Sequence, residues 1–293
     1  MYARIASTLV LVLTVAALLG TGPDRAVQAQ APQGARGGGP GGNQFAGQTP
    51  VNAMIVTGGC CHDYTGQTKV LMDTINAVMP VHWTVVQGMN SLPGGRLPLF
   101  EHADWARGQD IVIHNECWAN VTLSPQAIRH ITEAGVPRMF VHCALHSYRV
   151  MTDDGWRELI GADSRRHTRA HNMAITWADD DPITNGLPPF VTPIDELYVI
   201  QRAWPELEAL ATAASPEDGN PTFPVAWTYN YRGARVFGTT LGHGNETWHT
   251  NQFKDLIVRG FRWAIEREPV ALPPPAPPAR GGGAGGRGLG GVQ

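Results

Sequence analysis

Arg138-Met139-Phe140-Val141-His142-Cys143-Ala144-Leu145-His146 is a short apolar run that ends abruptly in histidine and cysteine. Three other runs do the same. Met54-Ile55-Val56-Thr57 leads into Gly58-Gly59-Cys60-Cys61-His62-Asp63, and Asp110-Ile111-Val112-Ile113 into His114-Asn115-Glu116-Cys117-Trp118. Arg235-Val236-Phe237-Gly238-Thr239-Thr240 leads into Leu241-Gly242-His243-Gly244-Asn245-Glu246. Brief runs of Val, Ile and Phe read as buried strands of a parallel sheet. Parallel strands deliver their carboxyl ends to one edge, where ligands bind. All the cysteines of the chain, and five of its histidines, therefore belong to that edge.

Between these strands the periodicity turns helical. Residues 64–79 carry Val70, Leu71, Ile75, Val78 and Met79 at helical spacing, and Pro80 stops them. Residues 81–86 form a second strand. Ser124 caps a helix that has Pro125 at its first position and Gly135 beyond its end. Further strands are expected over residues 172–177, 197–201, 207–212 and 225–229, then a closing amphipathic helix over 253–266. The alternation predicts an α/β fold, a doubly wound and mostly parallel sheet flanked by helices.

The ends of the chain are of a different kind. Arg4, an uncharged stretch over residues 5–20 and the small residues Val27-Gln28-Ala29 read as an export signal over 1–29. The apolar part is shorter than the roughly 20 residues a membrane-spanning helix requires. Residues 30–50 and 270–293 are rich in Gly, Pro, Gln and Ala, too poor in apolar surface to fold. That leaves 51–269 as one α/β domain, destined for the periplasm or secretion and not held in a membrane. The net charge of −3, with no basic stripe, argues against nucleic acid as a partner. An oxidising compartment makes a disulfide plausible. Cys60 and Cys61 are adjacent and are not expected to pair with each other; a bridge from either to Cys117 or Cys143 is open.

Several blocks together resemble the ThuA-like (trehalose utilisation) family. They are His62, Val141-His142, Leu159-Ile160-Gly161 with His167, and Asp181-Pro182-Ile183 with Gly186-Leu187-Pro188. Asp195-Glu196-Leu197-Tyr198, Pro224-Val225-Ala226-Trp227, and Arg235-Val236-Phe237 with Leu241-Gly242-His243 complete them. The lead-in Gly135-Val136-Pro137-Arg138 departs from the family's glycine-rich form. The resemblance implies a fold similar to class I glutamine amidotransferases (flavodoxin-like), and a role with trehalose-type disaccharides and their 3-keto forms.

Two chemistries compete for the sheet edge. In one, His62, Glu116, His142 and His243 are the reacting groups, as general acids and bases or as ligands of a divalent metal such as zinc. His167, Asp195, Glu196, Tyr198 and Trp118 would then bind the saccharide, with Trp227 and Trp248 as further stacking candidates. In the other, Cys143 is a nucleophile at a strand-to-helix elbow, relayed by His243 and Glu246 as in an amidotransferase-like hydrolase. The flanking glycines of a tight amidotransferase elbow are missing, Val141, His142, Ala144 and Leu145 standing in their place, which weighs toward a structural or disulfide-bonded Cys143. A non-catalytic carbohydrate-binding protein is the third reading, and a homo-oligomer is compatible with all. His114 reads as a packing residue.

Mass spectrometry of the exported protein is expected to show a chain beginning near Gln30. An intact Met1 with retention in the membrane would contradict the export reading.

Overall fold

The computed structural model describes residues 45–88, 97–217, 219–267 and 272–273. The expected export signal, the linker as far as residue 44 and the tail from 274 lie outside them. Among the described residues, no helix is long and apolar enough to cross a membrane.

The chain opens with β1 (Val51–Gly59), α1 (Tyr64–Asn76), β2 (Val81–Gly88) and β3 (Ile111–Cys117). Next come α2 (Pro125–Glu133), β4 (Arg138–Val141), a 3-10 turn over His142–His146 and α3 (Gly155–Ile160). The second half holds β5 (Ala162–His167), β6 (Ala174–Trp177), β7 (Phe190–Val191), β8 (Tyr198–Ala203), β9 (Glu208–Ala214), β10 (Thr222–Tyr231) and β11 (Ala234–Thr239). Helices α4 (Asn245–His249) and α5 (Asn251–Ala264) close it. The caps are those the sequence offers: Ser124 accepts from the Ala127 amide at the start of α2, and Thr250 from Phe253 at the start of α5.

The main sheet runs β2-β1-β3-β4-β11-β10-β9-β6-β7, and β5 pairs with β8 in a separate antiparallel ribbon. Strands β2, β1, β3, β4 and β11 are mutually parallel. From β11 outward the pairings with β10, β9, β6 and β7 are antiparallel. The expectation of a mostly parallel sheet thus describes one half only. The second half returns through short connections such as Arg232-Gly233, which join antiparallel neighbours without a crossover helix.

Alternation along the buried strands feeds two cores. Ala53, Ile55, Ile111, Ile113 and Met139 face Leu71 and Ile75 of α1 and Leu256, Ile257 and Phe261 of α5. Met54, Val56, Val112 and Phe140 face Ile128 and Ile131 of α2 and Trp156 and Leu159 of α3. Helices cover both faces, which explains why these strands read as continuous apolar runs.

Strand β3 extends beyond the sequence expectation. It does not end at His114 but continues to Cys117, so Glu116 is a sheet residue and not a loop residue. Its consequence for the site is described below.

Gly238 pairs with Trp227 across β10 and β11, and a Cβ there would stand 2.4 Å from the fully buried indole. Gly238→Ala is expected to lower stability in urea unfolding by about 1–3 kcal/mol, the usual cost of overpacking a closed core. An unchanged midpoint would contradict this packing.

Candidate functional site

Strands β1, β4 and β11 are parallel, and each is followed within four residues by a histidine: His62, His142 and His243. The ring centroids lie 4.8 Å apart for His62 and His142, 5.2 Å for His62 and His243, and 5.6 Å for His142 and His243. One ligand nitrogen from each falls within 4.8 Å of the others.

Backbone carbonyls aim two of these rings. His142 Nδ1 donates to Thr240 O at 2.6 Å, and His62 Nδ1 donates to His243 O at 3.1 Å. A carbonyl only accepts, so these bonds fix the tautomers and leave Nε2 as the acceptor nitrogen of each ring, with the Tyr198 hydroxyl 3.4 Å from that of His142. That is the arrangement found behind metal-ligating histidines. Burial, with His62 close by, holds the His142 pKa well below the usual histidine range; burial and His243 lower that of His62. Both shifts favour the neutral imidazole that a metal ligand must be.

Glu196 lies among the histidines. Its carboxylate is 3.3 Å from His243 Nδ1, 3.6 Å from His142 Nε2 and 3.5 Å from His167 Nδ1. Burial opposes its charge, but the bond to His243 and the nearby imidazoles outweigh it and lower its pKa. The same carboxylate raises the pKa of His243. Tyr198 is buried with its ring stacked on His146 at 3.8 Å and its hydroxyl 3.4 Å from His142 Nε2. His167 stands at the rim, with its side chain 39 % exposed and Nδ1 donating to Thr168 O.

Other expected site residues are placed elsewhere. Glu116 is fully buried on the α2–α3 face of the sheet, where its carboxyl is 3.1 Å from His114 Nδ1. Burial raises the Glu116 pKa and lowers that of His114, driving the pair toward neutrality. His114 itself stacks on Phe140 at 4.7 Å, a packing residue as expected. Asp195 is fully buried and bonded within the protein. Its carboxylate accepts from the amides of Glu196, Gly242 and His243 and from the Thr247 hydroxyl. Trp118, Trp227 and Trp248 are 5 %, 0 % and 1 % exposed, leaving no indole face for a sugar. Trp118 instead fills the space above Gly88, beside Leu97.

Cys143 is disulfide-bonded, the reading its neighbours favoured, but its partner is Cys117; Cys60 is bonded to Cys61, which corrects the expectation that these neighbours do not pair. The strained position after β4 is occupied by His142, at φ +48°, and not by the cysteine. His243 meets Glu196, so the expected relay through Glu246 has neither its nucleophile nor its acid. Sequence reasoning missed Tyr64, whose ring packs edge-on to His62 at 5.8 Å and whose buried hydroxyl has no hydrogen-bond partner among the described residues. Its place directly after His62-Asp63, at the start of a helix, was the available signal.

Beside His62 lies a hollow of about 280 Å³ lined by Gly58, Gly59, Asp63, Tyr64, Thr65, Gln87 and Gly88. A larger one, about 610 Å³, sits at the amino ends of β3 and β4, away from the histidines and without their chemistry.

The family model described as ThuA, trehalose utilisation, matches residues 109–264. Two solved structures are similar. A ThuA-like protein from Parabacteroides merdae superposes with a TM-score of 0.61 at 18% identity, covering 77% of this chain and 94% of that one. A ThuA-like protein from Bacteroides uniformis gives a TM-score of 0.60 at 15% identity, covering 79% and 98%. No curated protein matches the chain.

Asp195→Asn would set an amide NH2 against groups that already donate, while preserving shape. It is expected to cost about 1–3 kcal/mol in denaturant unfolding, the penalty of a broken buried hydrogen-bond cluster. A loss below the error of the measurement would show that Asp195 does not hold the His243 loop.

Proposed function

The chain belongs to the ThuA, trehalose utilisation, family, and on that premise we propose that it transforms a saccharide at a metal centre formed by His62, His142 and His243. The observation that carries this reading is the convergence of three histidine nitrogens within 4.8 Å, with two of the rings aimed by backbone carbonyls. Three imidazoles, with burial favouring the neutral form of His62 and His142 and His243 giving up its proton on binding, suit a zinc-class divalent ion and leave a position open, as a catalytic centre requires. Bound there, the ion would supply Lewis-acid polarisation of a sugar or water oxygen.

The protein's own groups supply the rest. Glu196 is held as an anion among the imidazoles and accepts the proton released in the reaction. The Tyr198 hydroxyl donates toward the reacting oxygen, and His167 at the open rim binds a sugar hydroxyl. Asp195 acts at one remove, fixing the backbone that carries both Glu196 and His243. The substrate is a trehalose-type disaccharide or its keto form, handled outside the cytoplasm after removal of residues 1–29.

Elemental analysis of the purified chain, paired with turnover on disaccharides and their 3-keto forms, tests this. About one divalent ion per chain is expected, lost in His142→Ala and His243→Ala together with activity. Glu196→Gln is expected to retain the ion and lose about 10²–10⁴ in kcat, the usual contribution of a positioned base. Full activity in metal-free protein would overturn the metal. Sugar binding without turnover, unchanged in every histidine variant, would establish a carbohydrate-binding protein instead.

A further inference from the structure

All four cysteines gather beside the histidines, but the reading above gives them no task. Cys60 and Cys61 are exposed and bonded to each other. Cys117 and Cys143 are bonded and only 4 % and 8 % exposed. Between the two pairs, Cys60 Sγ lies 3.9 Å from Cys117 Sγ. The sulfurs thus run in a connected series from the surface into the core.

The backbone builds this contact. Gly59 pairs with Cys117 at the end of the β1–β3 ladder, and the Cys60 amide donates to Cys117 O at 3.3 Å. A Cβ at Gly59 would stand 2.1 Å from that carbonyl, so only glycine lets the two strands approach this closely. The next residue, Cys61, adopts φ +85°, a region that side chains rarely occupy. Strain held at such a position points to a use.

We propose that these cysteines form a thiol–disulfide relay, in which the exposed Cys60–Cys61 pair carries electrons from a dithiol in solution to the buried Cys117–Cys143 bond. The dithiol reduces Cys60–Cys61, leaving as its own cyclic disulfide and giving two thiols. The Cys60 thiolate then attacks Cys117 Sγ. The Cys60–Cys117 bond forms, the Cys117–Cys143 bond breaks, and Cys143 leaves as a thiolate and takes up a proton. Cys61, having lost its proton, attacks Cys60 Sγ, which restores Cys60–Cys61 and releases Cys117 as a thiol. Two electrons and two protons pass from the dithiol to the buried pair, and the surface pair is regenerated. This is ordinary thiol–disulfide exchange through a mixed disulfide. Its effect on the histidines, by unclamping the segment that follows His142, rests on the proposed function; the exchange itself does not.

The test is dithiothreitol reduction of the full chain, quenched by alkylation and mapped by peptide mass spectrometry. In the wild type with limiting dithiothreitol, a transient Cys60–Cys117 cross-link is expected first, then alkylation at Cys117 and Cys143 with Cys60–Cys61 re-formed. Cys61→Ser is expected to accumulate that cross-link with Cys143 free. Cys60→Ser is expected to slow opening of Cys117–Cys143 at least about tenfold, because the solvent-facing attacking thiol is gone. Equal opening rates in Cys60→Ser and wild type, or opening of the buried pair with no Cys60–Cys117 cross-link, would overturn the relay. So would four thiols that become alkylatable only after removal of a bound soft metal, since Cys60, Cys61 and Cys117 are close enough to share one. The wild-type Cys60–Cys117 cross-link decides the matter even if a variant fails to fold, and none of these readouts depends on sugar turnover.

Discussion

Parallel pairing of β1, β3, β4 and β11 is the constraint on which the rest depends. Hydrogen-bonded register fixes Ala53 against Ile111, Val112 against Arg138 and Arg138 against Val236. With four strands locked in one direction, the residues that follow β1, β4 and β11 must leave at the same edge. A histidine after each is then enough to build the cluster. The two cores that sandwich these strands stabilise the edge without contributing to its chemistry.

The site is costly to hold. His142 lies at φ +48° and Cys61 at φ +85°, each a conformation that costs a side-chain-bearing residue roughly 1–2 kcal/mol. Polar bonds offset this: His142 to Thr240, His62 to His243, and the knot at Asp195 that draws the β11–α4 connection onto the segment carrying Glu196. The knot matters because His243 sits on a connection and not on a strand, where packing alone would leave it free to move.

Much of this was legible in the sequence, for identifiable reasons. His62, His142 and His243 stood out because each interrupts an apolar run, and a strand end is a reliable position in a parallel sheet. Glu116 was misread because His114 looks like the end of a strand. Its polar group is tolerated inside only because Phe140 stacks on it and Glu116 bonds to it, a tertiary fact with no local signal. Asp195 and Glu196 are neighbours of the same charge, and extended alternation sends them to opposite tasks: one into the backbone knot, the other to the histidines. Sequence could not apportion those roles. Nor could it pair the cysteines, since the Cys60–Cys61 bond depends on a backbone conformation that no periodicity reveals. The antiparallel half of the sheet was missed as such because a strand's own residues do not reveal the direction of its neighbour, even in strands as long as β9 and β10.

The central claim is that three imidazoles and no cysteine hold a metal at this edge. X-ray absorption at the zinc edge, on full-length protein loaded with one equivalent of zinc, reads the ligands directly. The account expects a first shell of nitrogen and oxygen at about 2.0–2.1 Å, with the outer scattering of three imidazoles. A shell at about 2.3 Å, the distance of zinc to thiolate sulfur, or zinc bound no more tightly than by buffer, would contradict it.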